Sequence, residues 1–153
     1  MINVEVFSDE KNWSKKLKKK QIFFNDICNA FPQKYKFSKK KVSFSLMLSN
    51  NKKIRKLNKN FRNKDKPTDI LSFPNRKKIK MEKKTYIGDI IISYNFLNKP
   101  KTQKNEIFRE KLIKIFIHGF LHLLNFDHKK DKDYMKMLKE EKRIFKSVIS
   151  KIN

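Results

Sequence analysis

The segment HGFLHLLNFDH, residues 118–128, contains all three histidines of the chain. His118 and His122 are four residues apart, so a helix places both imidazoles on one face, with Cβ atoms about 5–6 Å apart. His128 can join them only if the helix ends between these positions. Asn125 is the natural exit residue, because asparagine tolerates the left-handed conformation that often follows a helix C-terminus. The spacing therefore predicts a helix end that folds back and gathers three imidazoles.

Three gathered imidazoles suggest a metal site. Three neutral imidazoles leave one position of a tetrahedral Zn²⁺ ion open, which is typical of catalytic rather than structural zinc. The H-x₃-H-x₅-H spacing also matches the zinc triad of metzincin peptidases. A histidine pair on an apolar helix face is otherwise most often part of a satisfied core. Because the rest of the chain has no histidine, we predict that His118, His122 and His128 bind one Zn²⁺ ion.

The residue after the first histidine bears on the chemistry. Zinc peptidases of this spacing carry HExxH, in which the glutamate is the general base for the attacking water. This chain has Gly119 there, so a peptidase is the weakest of the alternatives. A metal without a carboxylate base still acts as a Lewis acid or lowers the pKa of a bound water. Those properties suit a phosphodiester, whose developing charge also needs a nearby cation.

Length and composition predict one intracellular domain. The chain has 153 residues, 38% of them hydrophobic and 14 of them phenylalanine, enough for a single core. The lone Cys28 favours a reducing compartment, so we expect a cytoplasmic protein. The N-terminal residues lack the layout of a signal peptide. The longest apolar run, 115–126, is too short to span a bilayer, so we expect no membrane partner.

The net charge of +25 has two explanations that can hold together. An AT-rich genome would impose many lysine, asparagine, isoleucine and phenylalanine codons on any protein. Alternatively, the charge is the footprint of a polyanion, most commonly nucleic acid. Charge alone does not decide between them, because runs of charged residues are usually solvated faces.

Hydrophobic periodicity predicts the order β, α, β, α, β, β, α, α, which is typical of an α+β domain over residues 1–153. Strand order and direction cannot be read from this pattern. The predicted segments are a strand at 2–7, a helix at 12–31 ended by Pro32, a strand at 42–48, a helix capped by Asn50 or Asn51, a strand at 68–74, a basic loop or ribbon at 76–84, a strand at 87–93, a long helix after Pro100 and a last helix from about Asp131.

Three segments together resemble one known family, the YbeY endoribonucleases. HGFLHLLNFDH (118–128) resembles the family signature H-G-x-L-H-L-x-G-[YF]-D-H, with Asn125 where the family usually has glycine. LNKNFRNKDKPTDILSFP (57–74) is similar to its upstream block L-N-x-x-[YF]-R-x-K-D-x-P-T-D-V-L-S-F-P. IGDIIIS (87–93) is similar to its strand L-G-D-I-x-I-S. The three blocks occur in the family's order and spacing and cover essentially the whole family domain.

The resemblance implies a metal-dependent, single-strand-specific endoribonuclease that matures the 3′ end of small-subunit rRNA and takes part in ribosome quality control. It implies RNA as substrate and the small ribosomal subunit or its assembly factors as partners. It also implies a small mixed sheet of about four strands flanked by helices, in a metzincin-like zinc-hydrolase arrangement. His118, His122 and His128 match the family's zinc ligands, and Arg62 matches an arginine proposed to bind the scissile phosphate.

Several alternatives remain open at this stage. The chain could be a noncatalytic RNA-binding assembly factor whose zinc only braces the fold, and Arg62 could be an ordinary surface cation. Asp127 could orient a metal-bound histidine or make a turn contact. Met137 and Glu141 fit the family's final helix, where Met137 is most simply core packing beneath the metal site.

Overall fold

A computed structural model describes residues 1–75 and 82–152 and contains four strands and five α-helices. The strands are β1 (Ile2–Ser8), β2 (Lys41–Ser49), β3 (Ile70–Pro74) and β4 (Lys84–Ser93). The helices are α1 (Lys20–Asn29), α2 (Asn51–Arg62), α3 (Tyr94–Leu97), α4 (Asn105–Leu123) and α5 (Asp131–Ile152). Short 3₁₀ turns lie at Lys11–Lys15 and Gln33–Tyr35.

The strands form one mixed sheet in the order β1-β2-β4-β3. β1, β2 and β4 are parallel, and the edge strand β3 runs antiparallel to β4. The predicted α+β fold with a four-stranded mixed sheet and flanking helices is confirmed. The antiparallel edge strand matters for the site, because it packs beside the helix that carries the histidine pair.

One face of the sheet holds the main core. Alternate residues of β2, such as Phe44 and Leu46, point to this face and are almost fully buried. They pack against the apolar side of α4, where Phe116 and Phe120 lie with ring centroids 5.9 and 5.7 Å from that of Phe44. The core also includes Val148 of α5. α4 is therefore held rigidly on the sheet along most of its length.

The opposite face is covered in part by α2. Ile54 packs with Leu71 of β3 and Ile91 of β4 in a second, smaller cluster. The Asn50 side chain accepts a hydrogen bond from the Lys53 amide at 2.9 Å and so caps the start of α2. The predicted cap is confirmed. α2 ends at Arg62, which places that residue at the edge of the sheet beside β3.

The helix predicted over 12–31 is wrong in its first half. The structure has a 3₁₀ turn at Lys11–Lys15, and α1 begins only at Lys20. Trp13 is fully buried, donates its Nε1–H to the Ser49 carbonyl at 2.9 Å and packs edge-on against Tyr94 at 5.4 Å. These contacts join residues far apart in sequence, so the helical spacing of apolar residues reflects two segments that share one core.

The remaining segment predictions differ from the structure by a few residues at most. β3 begins at Ile70 rather than residue 68, and β4 begins at Lys84 rather than residue 87. Most of the basic run predicted as a loop or ribbon at 76–84 lies outside the described residues, which exclude 76–81. The one-turn helix α3 was not predicted. None of the helices in the described segments is both long and apolar enough to cross a membrane.

Gly88 allows β3 and β4 to pair closely. Its φ is +137°, and a Cβ there would lie 2.2 Å from the Phe73 carbonyl oxygen. Any side chain would strain the backbone and break this contact. Cys28 of α1 is also enclosed, with 4% of its surface exposed, and burial raises the pKa of its thiol to about 12.

Candidate metal centre

The C-terminal end of α4 brings the three histidines together. Their candidate ligand atoms all lie within 4.8 Å of one another. His118 and His122 share one face of the last turns of α4, with their Nε2 atoms 3.0 Å apart. His128 follows the helix end, and its ring centroid lies 4.9 Å from that of His122 and 5.5 Å from that of His118. This is the arrangement expected from their spacing.

The exit from α4 occurs at the predicted residue. Asn125 has φ +68°, the left-handed conformation that asparagine tolerates better than most residues. Its amide donates to the His122 carbonyl at 2.9 Å, and the Phe126 amide donates to the Leu121 carbonyl at 3.0 Å. These bonds satisfy the last carbonyls of the helix and turn the chain back, so that His128 faces the pair.

Hydrogen bonds fix the tautomers of the histidine pair. His118 Nδ1 lies 2.7 Å from Glu141 Oε1, and His122 Nδ1 lies 2.9 Å from the Phe126 carbonyl oxygen. The carboxylate of Glu141 and the carbonyl of Phe126 are both acceptors, so each Nδ1 carries a proton and donates it. Each Nε2 then has a free lone pair directed at the centre of the triad. Partners of this kind usually orient the histidine ligands of metal ions.

The two facing lone pairs fit a bound cation. Lone pairs 3.0 Å apart repel each other unless a proton or a metal ion lies between them. Burial of the ring, with the neighbouring His118, lowers the pKa of His122 to about 4, so this imidazole is neutral at physiological pH. Tetrahedral zinc with bonds of about 2.0–2.1 Å places its ligand nitrogens about 3.3 Å apart. His118, His122 and the exposed His128 can therefore hold a metal ion.

Gly119 lies on the side of α4 that faces β3. The Ser72 hydroxyl donates to the Gly119 carbonyl at 3.2 Å. A Cβ on Gly119 would lie 2.6 Å from Ile70 Cδ1 and 3.1 Å from Ser72 Oγ. The position thus serves close packing of helix against strand, and a glutamate there would have to displace β3 side chains.

A cleft of about 780 Å³ surrounds the triad, and we call it the metal cleft. All four residues predicted for the site line this cleft: Arg62, His118, His122 and His128. Arg62 donates from Nη2 to the Ser72 carbonyl at 2.9 Å, and its guanidinium lies 5.8 Å from the centroid of the Phe73 ring. One donor of Arg62 is therefore used to fix the side chain, and the others remain for a ligand in the cleft.

The structure shows a contact of Glu141 that the sequence did not indicate, and it decides between the two alternatives for Asp127. Glu141 was placed only on the final helix, yet it holds His118 from 23 positions away. The single available signal was an acid one helical turn after Met137, which is too common to be decisive. Asp127 makes a turn contact, since its Oδ1 accepts from the His128 and Lys129 amides at 2.7 and 3.2 Å. Met137 is 1% exposed and belongs to the core, as predicted.

Comparison with known proteins gives a consistent picture. The sequence profile of the family described as Endoribonuclease YbeY matches residues 6–149. The chain is 55% identical to the endoribonuclease YbeY of Pelagibacter ubique over 152 residues, which cover 99% of each chain. It is 35% identical to the endoribonuclease YbeY of a Sulfurihydrogenibium species over 138 residues, 90% of this chain and 84% of that one.

The fold has a solved counterpart as well. The solution structure of TM1509 from Thermotoga maritima superposes with a TM-score of 0.58 at 26% sequence identity, covering 98% of this chain and 90% of that one. Because the family profile and the first of these relatives both cover nearly the whole sequence, the chain belongs to the YbeY endoribonuclease family.

Proposed function

We propose that this protein is a zinc-dependent endoribonuclease that cuts unpaired RNA, with His118, His122 and His128 as ligands of one Zn²⁺ ion and Arg62 as the residue that binds the scissile phosphate. The observation that carries the proposal is the convergence of three imidazoles in a cleft that Arg62 also lines. Imidazole donors suit zinc, and three of them leave the open position that catalytic zinc keeps.

Each residue of the site has a task that follows from its contacts. When bound, zinc would supply a Lewis acid and a water of lowered pKa. Glu141 and the Phe126 carbonyl keep the Nδ1 protons of His118 and His122 in place, so that both Nε2 lone pairs stay available. Arg62 remains charged at any working pH and offers paired donors to phosphate oxygens. It would stabilise the extra negative charge of the pentacoordinate transition state.

We also infer the biological setting. The names of the relatives support RNA as the substrate class, and the charge of +25 supports binding to a polyanion. Maturation of the 3′ end of small-subunit rRNA and contact with the small subunit or its assembly factors follow from the family resemblance. The single cysteine, Cys28, supports a cytoplasmic location. The main core draws on both β1 and α5, which supports one endoribonuclease domain over residues 1–153.

The decisive experiment measures metal content and RNA cleavage on the same samples. The substrate is a structured RNA with one defined unpaired segment, and zinc is quantified by mass spectrometry. We expect about one zinc per chain and cleavage confined to the unpaired segment. A His122→Ala variant with native circular dichroism should lose zinc and cleavage together. If it cleaves at the parental rate, the metal-dependent mechanism is wrong.

Arg62 is tested against a matched arginine. Arg62→Ala should lower kcat/KM by about 10²- to 10³-fold, the usual effect of removing one charge-stabilising donor. Arg109 is exposed and lines none of the clefts described here, so Arg109→Ala should leave cleavage unchanged. Equal rates for both variants would remove Arg62 from the mechanism. The product ends identify the nucleophile, since a 2′,3′-cyclic phosphate indicates attack by the ribose 2′-OH.

The alternative of a noncatalytic assembly factor makes a different prediction. A structural zinc would hold the fold, so its removal would unfold the protein. The triad lies in an open cleft above a core that is complete without it. We therefore expect the chelated protein to keep its helical spectrum and to regain cleavage when zinc is restored. A fully metal-loaded protein that binds RNA and never cuts it would favour the alternative.

A further inference from the structure

A cleft of about 490 Å³ lies beside the metal cleft, and we call it the side cleft. We propose that the side cleft binds one nucleotide of the unpaired RNA strand beside the scissile phosphate, with its base stacked on Phe96 and its flanking phosphates on Lys64 and Lys66. This assignment rests on the proposed endoribonuclease function and extends it to the positioning of the substrate.

The two clefts are adjacent. Arg62, Thr68 and Leu71 line both the metal cleft and the side cleft. A phosphate held by Arg62 would therefore lie at the boundary between them. A strand that leaves this boundary can pass directly into the side cleft, whose volume is within the usual range of small-ligand sites, about 300–1,000 Å³.

The charge of the side cleft suits a nucleic-acid backbone. Arg62, Lys64 and Lys66 line it, and no aspartate or glutamate does so among the residues that the structure describes. The loop 63–69 contains two acids: Asp65 is paired with Arg55 at 2.9 Å, and Asp69 lines the metal cleft but not the side cleft. Within residues 1–75 and 82–152, neither the Lys64 nor the Lys66 ammonium group has a hydrogen-bond or ion-pair partner. Both are available for phosphates.

The loop that carries these lysines is held in place by a buried amide. Asn58 is 3% exposed, and its Nδ2 donates to the Lys66 carbonyl at 2.8 Å. The Lys64 amide donates to the Asn58 carbonyl at 3.3 Å. Asn63, the residue directly after α2, has φ +56°, a left-handed conformation that stops the helix. The backbone positions of both lysines are thereby fixed before any ligand arrives, which lowers the entropy lost on binding.

Phe96 contributes an aromatic ring to the lining of the side cleft. The Lys99 ammonium lies over this ring, 5.1 Å from its centroid, so a base would stack on the face that Lys99 does not cover. Phe96 lies on α3, whose Tyr94 and Leu97 are buried, whereas 36% of the Phe96 surface is exposed. α3 is fastened at its two ends: Asn95 Oδ1 accepts from the Asn51 amide at 2.9 Å, and the Leu97 carbonyl accepts from Gln103 at 2.6 Å. An exposed aromatic ring on a fixed element beside free cations is the usual arrangement for binding single strands.

Phe96 also lines a third cleft, of about 460 Å³, which shares Asp69, Ile70 and His118 with the metal cleft. That cleft contains Lys111 and Lys114, but both are occupied. Lys111 Nζ donates to the Lys99 carbonyl and to Gln103 at 2.7 and 2.6 Å, and Lys114 pairs with Glu110 at 3.1 Å. The side cleft is lined by Lys64 and Lys66 and by no described carboxylate, whereas the third cleft includes Asp69, and this difference in charge favours the path of the strand that we propose.

The subsite would contribute to the preference for unpaired RNA. A base can stack on a side chain only when it is not stacked and paired in a duplex. Stacking on an aromatic ring tolerates every base, because each has a π face. The side cleft therefore predicts selection for single strands with little selection for sequence at this nucleotide.

The experiment measures RNA binding by fluorescence anisotropy, with a labelled unpaired oligoribonucleotide. All proteins carry His122→Ala, so that the strand is not cut. Phe96→Leu should raise Kd by about 5- to 150-fold, because base–aromatic stacking contributes about 1–3 kcal/mol. Phe96→Tyr keeps a ring and should restore the parental Kd. Phe7→Leu is the matched control, since Phe7 is equally apolar, 50% exposed and outside all three clefts.

Two further measurements locate the nucleotide. A single abasic site is moved along the oligonucleotide, and one position should weaken binding to the parent but not to Phe96→Leu. Lys64→Ala and Lys66→Ala should each reduce the slope of log K against log salt by about 0.7, the value for one phosphate of a single strand. Lys15→Ala, at an exposed lysine outside the clefts, should leave the slope unchanged.

The outcomes separate this inference from the proposed function. If Phe96→Leu binds every RNA with the parental Kd and no abasic position matters, the subsite is wrong, while cleavage by the protein without the His122 change still supports the endoribonuclease. If the abasic effect depends on Phe96 but the zinc-loaded protein does not cut RNA, the subsite stands and the proposed catalytic function fails.

Discussion

Glu141 is a single carboxylate that orients His118, one of the three proposed metal ligands. Its Oε1 atom accepts from His118 Nδ1 at 2.7 Å. Glu141→Gln replaces a charged acceptor with a weaker, neutral one, so we expect zinc affinity to fall about 10- to 100-fold, as for other partners of metal-bound histidines. Competition with a chromophoric chelator measures this affinity.

A matched control for Glu141→Gln is available on α4. Glu110 is about half exposed and pairs only with Lys114, so Glu110→Gln makes the same chemical change away from the triad. Zinc affinity should stay at the parental value in this variant. Equal affinities in the two variants would mean that the His118–Glu141 contact does not tune the site.

Gly88 is a second position where one residue has a large effect. Gly88→Ala should lower the free energy of unfolding by at least about 2 kcal/mol, because the φ of +137° is strained for alanine and the new Cβ would meet the Phe73 carbonyl. Urea denaturation followed by circular dichroism gives this quantity. A loss below about 0.5 kcal/mol would show that β3 can shift away from β4 without penalty.

At the scale of elements, α5 is attached to the rest of the molecule by a buried acid. Glu140 accepts hydrogen bonds from the Tyr35 hydroxyl and from Lys34 Nζ, the latter at 2.8 Å. Glu140→Gln should lower the free energy of unfolding at pH 7 by about 1–3 kcal/mol, the usual contribution of hydrogen bonds to a charged group. Denaturant titration of both proteins gives the difference.

The contacts of Glu140 with Lys34 and Tyr35 should also make the stability difference between the parent and Glu140→Gln depend on pH. Burial alone would raise the pKa of Glu140, but hydrogen bonds from Lys34 and Tyr35 and the charges of Lys34 and Arg143 lower it below its ordinary value. A lowered folded-state pKa contributes stability above the unfolded pKa of about 4.3 and loses it as the pH falls through the folded value. The difference in unfolding free energy between the parent and Glu140→Gln should therefore be largest at pH 7 and decrease at acidic pH. A difference that does not change with pH would contradict this explanation.

The elements differ in how well the sequence predicts them. α4 and its exit were predicted closely, because the histidine spacing, the apolar periodicity and Asn125 all agree locally. The segment 12–31 was not, because Trp13 is positioned by Ser49 and Tyr94, which are distant in sequence. For the same reason, strand order could not be predicted, and neither could the short helix α3 that positions Phe96.

In the candidate site as well, local features could be predicted from the sequence and contacts between distant segments could not. The triad was predictable because its three histidines lie within eleven residues of one another. The position of Arg62 beside them depends on β3 pairing antiparallel at the sheet edge, which the sequence did not indicate; only the family resemblance suggested that Arg62 belongs to the site. Glu141 was missed as a partner of His118, since no local pattern connects two helices.

For the whole molecule, the net charge should make RNA binding strongly dependent on salt. If Arg62, Lys64 and Lys66 neutralise three phosphates, a threefold rise in monovalent salt should weaken binding of unpaired RNA about tenfold, from a slope of about −0.7 per phosphate. The rate of cleavage at saturating RNA should change much less, since it reports the bound state. Equilibrium binding and single-turnover cleavage at several salt concentrations test both statements. An affinity that does not change with salt would exclude phosphate contacts as the main source of binding.

Because the Cys28 thiol is buried, its chemical labelling can report local unfolding of the protein. The chain has one cysteine, 4% exposed and held as a thiol by its raised pKa. Only the thiolate reacts with disulfide or alkylating reagents, so labelling in the native state should be very slow. The rate of labelling would therefore measure how often local unfolding exposes the thiol on α1 to solvent. Mass spectrometry of timed labelling could compare the rate of local unfolding with and without metal or RNA, on the unmodified sequence.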